Sequence, residues 1–269
     1  SLLGRGSSLP GEIALKLCPD ILSRIKLPKT VIAVTGSNGK TSTVEMIAHI
    51  LTSAGKSFAY NREGSNQIEG VTALILCNCT LSGRFRKDIL LIESDERYAK
   101  HTFKYVKPTH YVITNLYRDQ LTRNGHPEWV YDAVKDSIPE NCRLIVNADD
   151  PLVSLFAWGR ENTVHFGMDR QSFSTDENTG VYDDGKYCPV CFGRMEYAFR
   201  HYNHIGSYRC PACGYHREEP DHRITLADLD AGYLMIDGEN RVDLAFRSIY
   251  NAYNILACYT LCREIGLDG

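Results

Sequence analysis

The sequence predicts an α/β fold of the phosphate-loop type: a mostly parallel sheet with helices on both faces, interrupted by a small four-cysteine module. Three observations predict it. A β-branched apolar run, Thr30-Val-Ile-Ala-Val-Thr35, leads straight into a glycine turn ending in Gly39-Lys40-Thr41. Short apolar runs then alternate with stretches of helical spacing as far as Phe166. Two Cys-x-x-Cys pairs, Cys188 with Cys191 and Cys210 with Cys213, follow once that alternation stops. Continuous apolar runs mark strands buried on both faces, and strands alternating with helices build a parallel sheet.

Residues 1–29 read as a lead-in segment that packs on a larger domain spanning 30–269. A Gly/Ser-rich opening gives way to Ile13, Leu17, Ile21, Leu22 and Ile25, the spacing of a short helix before Pro28. The run 30–35 is the first buried strand. From Thr41 the pattern turns helical, with Val44, Ile47, Ala48 and Leu51 on one face and Gly55 as the stop. Strand, glycine turn, Gly-Lys-Thr and helix together predict a phosphate cradle. The backbone N–H groups of Gly36, Ser37, Asn38 and Gly39 would point at a polyphosphate, Lys40 would supply a compact positive charge, and the Thr41 hydroxyl would face Mg²⁺. The general motif has glycine five positions before Gly39; here that position is Val34.

Phe58-Ala-Tyr60 is the next strand, with a polar loop at Asn61–Asn66, and Val71–Leu81 has helical spacing. Asp88-Ile-Leu-Leu-Ile-Glu93 is a buried strand with a carboxylate at its tip, which makes Glu93 a candidate Mg²⁺ ligand. Tyr111–Thr114 runs into polar residues 115–119. A helix at about 127–138 would turn Trp129, Val130, Ala133, Val134 and Ser137 inward. Leu144–Val146 ends in Asn147-Ala-Asp-Asp150. The tips at 36–41, 93–96, 115–119 and 147–150 are expected along one sheet edge, where open α/β sheets bind ligands.

The cysteine pairs are separated by residues 192–209, a spacing within the structural zinc range. A turn follows each pair, and two alternating stretches (Met195–Arg200, Tyr202–Tyr208) complete the outline of a zinc ribbon at about 181–222. Four thiolates leave no open position, so a zinc there would be structural, and it would supply folding energy that the few apolar residues cannot. A disulfide or redox use of the pairs is the alternative, disfavoured by a reducing compartment. His201, His204 and His216 are expected at the surface. Beyond the ribbon, Tyr233–Ile236 and Arg241–Phe246 read as a hairpin and Ser248–Ile265 as an apolar helix, with Asn251 and Asn254 near its start.

Composition narrows the function classes. With 43% hydrophobic and 23% charged residues over 269 positions, the chain has material for one large α/β domain plus a small module. A net charge of −3 carries no basic footprint for nucleic acid. There is neither a long apolar run nor the form of a secretory signal, so a cytosolic protein that does not span the membrane is the expectation.

The motifs resemble those of the Mur ligases. Val34-Thr-Gly-Ser-Asn-Gly-Lys-Thr-Ser42 is similar to their phosphate loop, which likewise lacks the first glycine, so Ser42 joins the expected ATP contacts. Glu93-Ser94 resembles their strand-end Glu-x-Ser, Thr114–Thr122 their Thr-Asn-Leu-x-x-Asp-His-Leu-Asp, and Asn147–Asp150 their Asn-x-Asp-Asp. Tyr250-Asn251-Ala-Tyr-Asn254-Ile-Leu-Ala257 resembles the start of the helix whose first Asn contacts adenine. The likeness covers residues 30–170 and 224–265. It implies an ATP-binding central domain in which Lys40, Glu93 and Asn115 serve catalysis, Asn251 faces adenine and Asp150 lies near the ribose.

A ribbon inserted in that domain points to the branch that amidates lipid II in peptidoglycan synthesis. The resemblance then implies a GatD-like glutaminase subunit as partner, lipid II as substrate at the inner face of the membrane, and ATP, Mg²⁺ and structural Zn²⁺ as cofactors. Three departures stand out. The family's metal-ligating His is Gln120, Lys135 is one position out of register with a lysine that several members carbamylate, and the chain ends where members continue into a further C-terminal domain. Rival readings are another Mur-type amide ligase such as a folylpolyglutamate synthase, a nucleic-acid-binding ribbon, and a non-catalytic ATP-binding fragment.

Overall fold

The computed structural model describes residues 8–61, 66–116, 127–178 and 184–267. The chain divides into two compact units, residues 1–112 with 120–143 and residues 113–119 with 144–269. The first is built from parallel strand pairs with helices in the connections, as the apolar runs predict; the second pairs three strands in parallel and continues in antiparallel pairs.

The first unit opens with helix α1 (Leu9–Leu17) and a 3-10 turn at Ile21–Arg24, then alternates β1 (Thr30–Thr35), α2 (Lys40–Ser53), β2 (Phe58–Tyr60), α3 (Ile68–Cys77), β3 (Ile89–Glu93), α4 (Ala99–Phe103), β4 (His110–Ile113) and α5 (Pro127–Lys135). β3 pairs in parallel with both β1 and β2, in a register that sets Val34 beside Glu93. Val31–Val34 and Ile89–Ile92 are buried, which explains their unbroken apolar run. Helix α1 packs against α3, but not through the residues that the spacing of the lead-in suggested. Ile13 and Leu17 are exposed, and α1 meets α3 through Gly11, where a Cβ would lie 1.8 Å from the Glu69 carbonyl oxygen. Backbone-to-backbone approach, not an apolar stripe, sets this contact. On α5, Val130 and Val134 are buried while Trp129 is exposed, contrary to its expected inward position.

In the second unit β5 (Arg143–Asn147, beginning at the unit boundary) leads to the short helix α6 (Pro151–Ser154) and β6 (Thr163–Met168). β7 (Glu196–Tyr202) and β8 (Ile205–Arg209) form the ribbon hairpin. β9 (His222–Asp228), β10 (Tyr233–Ile236) and β11 (Asn240–Asp243) follow, and α7 (Ile249–Glu264) comes last. β5, β6 and β9 pair in parallel, β9, β10 and β11 antiparallel. The ribbon is therefore an insertion between two paired strands, β6 and β9.

Replacing Gly11 with Ala is expected to destabilise the first unit by about 3 kcal/mol or detach α1, because the new methyl meets backbone atoms that cannot turn aside. Urea denaturation and amide exchange over residues 9–17 would measure it.

Candidate functional site

In the first unit the phosphate loop runs from β1 into α2. Gly36 (φ 144°) and Gly39 (φ 85°) adopt left-handed values open to glycine and strained for other residues. Lys40 is the first residue of α2. Its ammonium donates to the Gly36 carbonyl (2.6 Å) and to Glu96 Oε1 (2.7 Å), and both partners of this ion pair are largely buried. Thr41 Oγ1 donates to Glu93 Oε1 at 3.1 Å. Glu93 is locked from behind by Asn61, which donates to its carbonyl and accepts from its N–H. Burial raises the Glu93 pKa; the Thr41 hydrogen bond and the Lys40 charge oppose it, and neighbouring Glu96 adds to it. A carboxyl so raised contributes stability at low pH that is lost as pH climbs through its folded pKa. A cation held there would reverse that loss.

Thr41 Oγ1 and Glu93 Oε1 suit a hard divalent cation. Adjacent ligands of octahedral Mg²⁺ lie ~2.9 Å apart, close to the observed spacing, and both donors are oxygens. Ser42 is exposed beside them and Thr41 is open to solvent. A cavity of about 870 Å³ lined by Lys104, Lys107, Pro139 and Cys142 shares no residue with this loop.

In the second unit Asn115 is buried and donates to Thr114 Oγ1. Asp150 is fully buried, and its carboxylate accepts from the backbone amides of Leu116, Leu152 and Val153, so it caps α6 and ties it to the residues after β4. Asn251 lies in the first turn of α7, half-buried, donating to the Phe246 carbonyl at 3.4 Å. Lys135 is exposed, its ammonium 5.9 Å from the Tyr131 ring. Arg118, Asp119 and Gln120 lie outside the described residues.

The ribbon forms as its spacing predicts. Cys188 and Cys213 sulfurs are 3.6 Å apart, Cys191 and Cys210 3.5 Å, and all four lie within 4.8 Å of one another. A tetrahedral zinc with Zn–S near 2.3 Å spaces its sulfurs ~3.8 Å apart, so these residues fit the ion. The two knuckles match: Phe192 N–H donates to the Cys188 carbonyl and Gly214 N–H to the Cys210 carbonyl, each residue at positive φ. A small core of Met195, Tyr208 and Tyr215 backs the thiols and packs against Leu155.

The histidines depart from expectation. His216 is exposed, but His201 and His204 are buried, because the hairpin end packs on the rest of its own unit instead of facing solvent. Three further residues escaped sequence reasoning. Glu96 was visible only as one acid among Ser94-Asp-Glu96. Asp149 and Arg217, an ion pair at 2.6 Å, join residues far apart in the chain, and only the charged pair of aspartates after β5 hinted at one partner.

These elements define a phosphate-loop α/β protein carrying an inserted four-cysteine ribbon. Residues 34–210 match the Mur ligase middle domain, and the chain belongs to the Mur ligase family. It is 33% identical over 98% of its length to the MurT subunit of lipid II isoglutaminyl synthase (glutamine-hydrolyzing) from Staphylococcus aureus, and 32% identical over its full length to the same subunit from Streptococcus pneumoniae. The chain spans 59% and 60% of those relatives. Among solved structures it resembles a pseudomurein peptide ligase type C from Methanothermus fervidus, with TM-score 0.72 and 26% identity over 93% of this chain and 49% of that one. It shares the fold of the MurF ligase from Thermotoga maritima, solved with ADP, with TM-score 0.61 and 19% identity over 96% of this chain and 50% of that one.

Two outcomes are expected. A phosphate arriving at Lys40 would have to displace Glu96, so Glu96→Gln should tighten ADP binding about tenfold in calorimetry while lowering the thermal midpoint of the free protein. Chelation, or Cys210→Ser, should lower the thermal midpoint of the native protein, and added zinc should restore it after chelation but not in the variant.

Proposed function

We propose that this chain is the nucleotide-binding portion of an ATP-dependent amide ligase of peptidoglycan synthesis, and that its reaction is that of lipid II isoglutaminyl synthase. The observation that carries the reading is the one-third identity to MurT subunits across nearly the whole chain, ribbon included. A carboxylate resists attack by ammonia until its oxygen becomes a leaving group, which is what ATP provides. In the proposed reaction the α-carboxylate of D-Glu in the lipid II stem peptide attacks the γ-phosphorus, giving an acyl phosphate and ADP. Ammonia released from glutamine by a GatD-like glutaminase subunit then attacks the acyl carbon. Phosphate leaves with the bonding pair, a proton is lost, and D-isoglutamine remains.

Phosphoryl transfer asks a protein for position and charge more than for covalent chemistry. The amides of Gly36–Gly39 would cradle the phosphates. The Lys40 ammonium would exchange Glu96 for phosphate oxygen, keeping its bond to Gly36. Thr41 and Glu93 would hold Mg²⁺, which neutralises phosphate charge when bound. Asn115 and Asn251 take the γ-phosphate and adenine roles that the family resemblance implies. Asp150 is left out of this proposal, since its carboxylate already serves three backbone amides. Zinc on Cys188, Cys191, Cys210 and Cys213 would be structural. Among the described residues no helix is long and apolar enough to cross a membrane. The proposed setting is the cytoplasmic face of the membrane, where lipid II would present its peptide.

Lys40→Ala in the assembled enzyme, with its glutaminase partner, should cut glutamine-dependent ATP hydrolysis on lipid II at least about 100-fold. Undiminished turnover would refute the assignment of this loop.

A further inference from the structure

The end of the ribbon hairpin is built into the second unit by polar contacts converging on one buried carboxylate. Asp149 is fully buried in the loop after β5. Its Oδ1 accepts from Arg217 Nε, just past the ribbon, at 2.6 Å. Its Oδ2 accepts from the Met168 N–H (2.8 Å) at the end of β6 and from the Tyr253 hydroxyl on α7. Its backbone carbonyl accepts from Gly206 N–H (2.9 Å) on β8. A second ribbon contact lands two residues on, where the Tyr215 hydroxyl donates to the Pro151 carbonyl at 2.6 Å.

The opposite side of the same hairpin meets α7. Tyr202, the last residue of β7, sets its ring edge-on to Tyr250 with centroids 4.8 Å apart, and 6.2 Å from Tyr253. His201 packs beside Tyr253 and is tied by Nε2 to the Met168 carbonyl and by Nδ1 to Ser174. Residues 201–206 are thus wedged between the loop carrying Asp149 and the first turn of α7. That turn contains Asn251, flanked by Tyr250 and, two residues on, Tyr253.

We propose that the ribbon positions the purine end of the nucleotide: Tyr202, Tyr253, Asp149 and Arg217 are positioning residues that fix the start of α7, and with it Asn251. The inference rests on the reading that Asn251 faces adenine. The geometry gives a four-cysteine insertion at this place something to do. A helix start that makes three ring contacts with the hairpin depends for its placement on the hairpin it leans on. Four thiolates holding one ion would stiffen that hairpin without adding chemistry of their own. Aromatic edge contacts and buried hydrogen bonds depend steeply on geometry, so small displacements of the hairpin would reach α7.

The test compares ADP with inorganic tripolyphosphate, which shares the phosphate loop but has no purine, by titration calorimetry of the full-length protein in complex with its glutaminase partner and with Mg²⁺ present. Tyr202→Ala and Tyr253→Phe should each weaken ADP about tenfold while leaving tripolyphosphate within about twofold, and Tyr202→Phe should restore ADP binding. In turnover the same variants should raise KM for ATP at unchanged kcat. Should Tyr202→Ala fail to fold, Tyr253→Phe removes a single hydroxyl and carries the measurement. Equal weakening of both ligands, or of neither, overturns the proposal. Asn251→Ala separates it from its premise. Unchanged ADP affinity in that variant removes the adenine assignment and the proposal with it. A weakened Asn251→Ala beside an unaffected Tyr253→Phe overturns the proposal alone.

Discussion

Lys40 carries its charge into a largely buried loop, and the arrangement of the first unit follows from where that charge is answered. An ammonium removed from water is costly unless acceptors surround it. The Gly36 carbonyl and Glu96 supply them, and Glu96 is brought within 2.7 Å because β3 runs parallel to β1 and ends beside it. The same strand end delivers Glu93 to Thr41. Two acids beside one lysine leave the cluster with an excess of negative charge, which burial raises in cost. Burial and the second acid both push the Glu93 pKa up. A site so balanced would gain from a divalent cation at the Glu93 end and a polyanion at the Lys40 end, the two charges that the proposed magnesium nucleotide would bring.

The second unit answers a buried charge in another way. Asp149 meets Arg217, a tyrosine hydroxyl and a backbone amide, so every strong donor around it comes from a different element. Such a carboxylate cannot move without breaking several contacts at once, and removing one partner leaves the others to bear an uncompensated ion. This hub is held from several sides, where on the proposed reading the Lys40 pair would exchange. The contrast follows from the partners: Lys40 has an ammonium with three donors and one compact acceptor that phosphate oxygen can replace, whereas Arg217 and Tyr253 have no comparable substitute.

What the sequence made legible was local. β1, the glycine turn and α2 are contiguous, and their signals are periodicity, glycine and a Lys-Thr pair within twelve positions of one another. The knuckles are legible for the same reason, since each is a Cys-x-x-Cys followed by a turn. β9 escaped notice because His222-Arg-Ile-Thr-Leu-Ala-Asp228 buries chiefly Ile224 and Ala227, too sparse an alternation to stand out. Trp129 was expected inside because large aromatic residues usually are, yet α5 packs through its valines. The Glu96–Lys40 pair joins residues fifty-six positions apart, and nothing in local pattern selects Glu96 over its acidic neighbours.

The buried histidines show where that locality fails and why the failure is informative. His201 and His204 sit among polar and aromatic residues of a short hairpin, a composition that reads as solvated surface. Their burial comes from partners that the chain supplies elsewhere: Met168, Ser174 and the aspartates after β5. Burial lowers the His201 pKa, which favours the neutral ring. A ribbon serving only its own stability would have no use for two buried histidines and a tyrosine edge turned toward α7. On the proposed reading the polar contacts at its hairpin end are a joint, where the inserted four-cysteine hairpin would hold the start of α7 against the loop after β5.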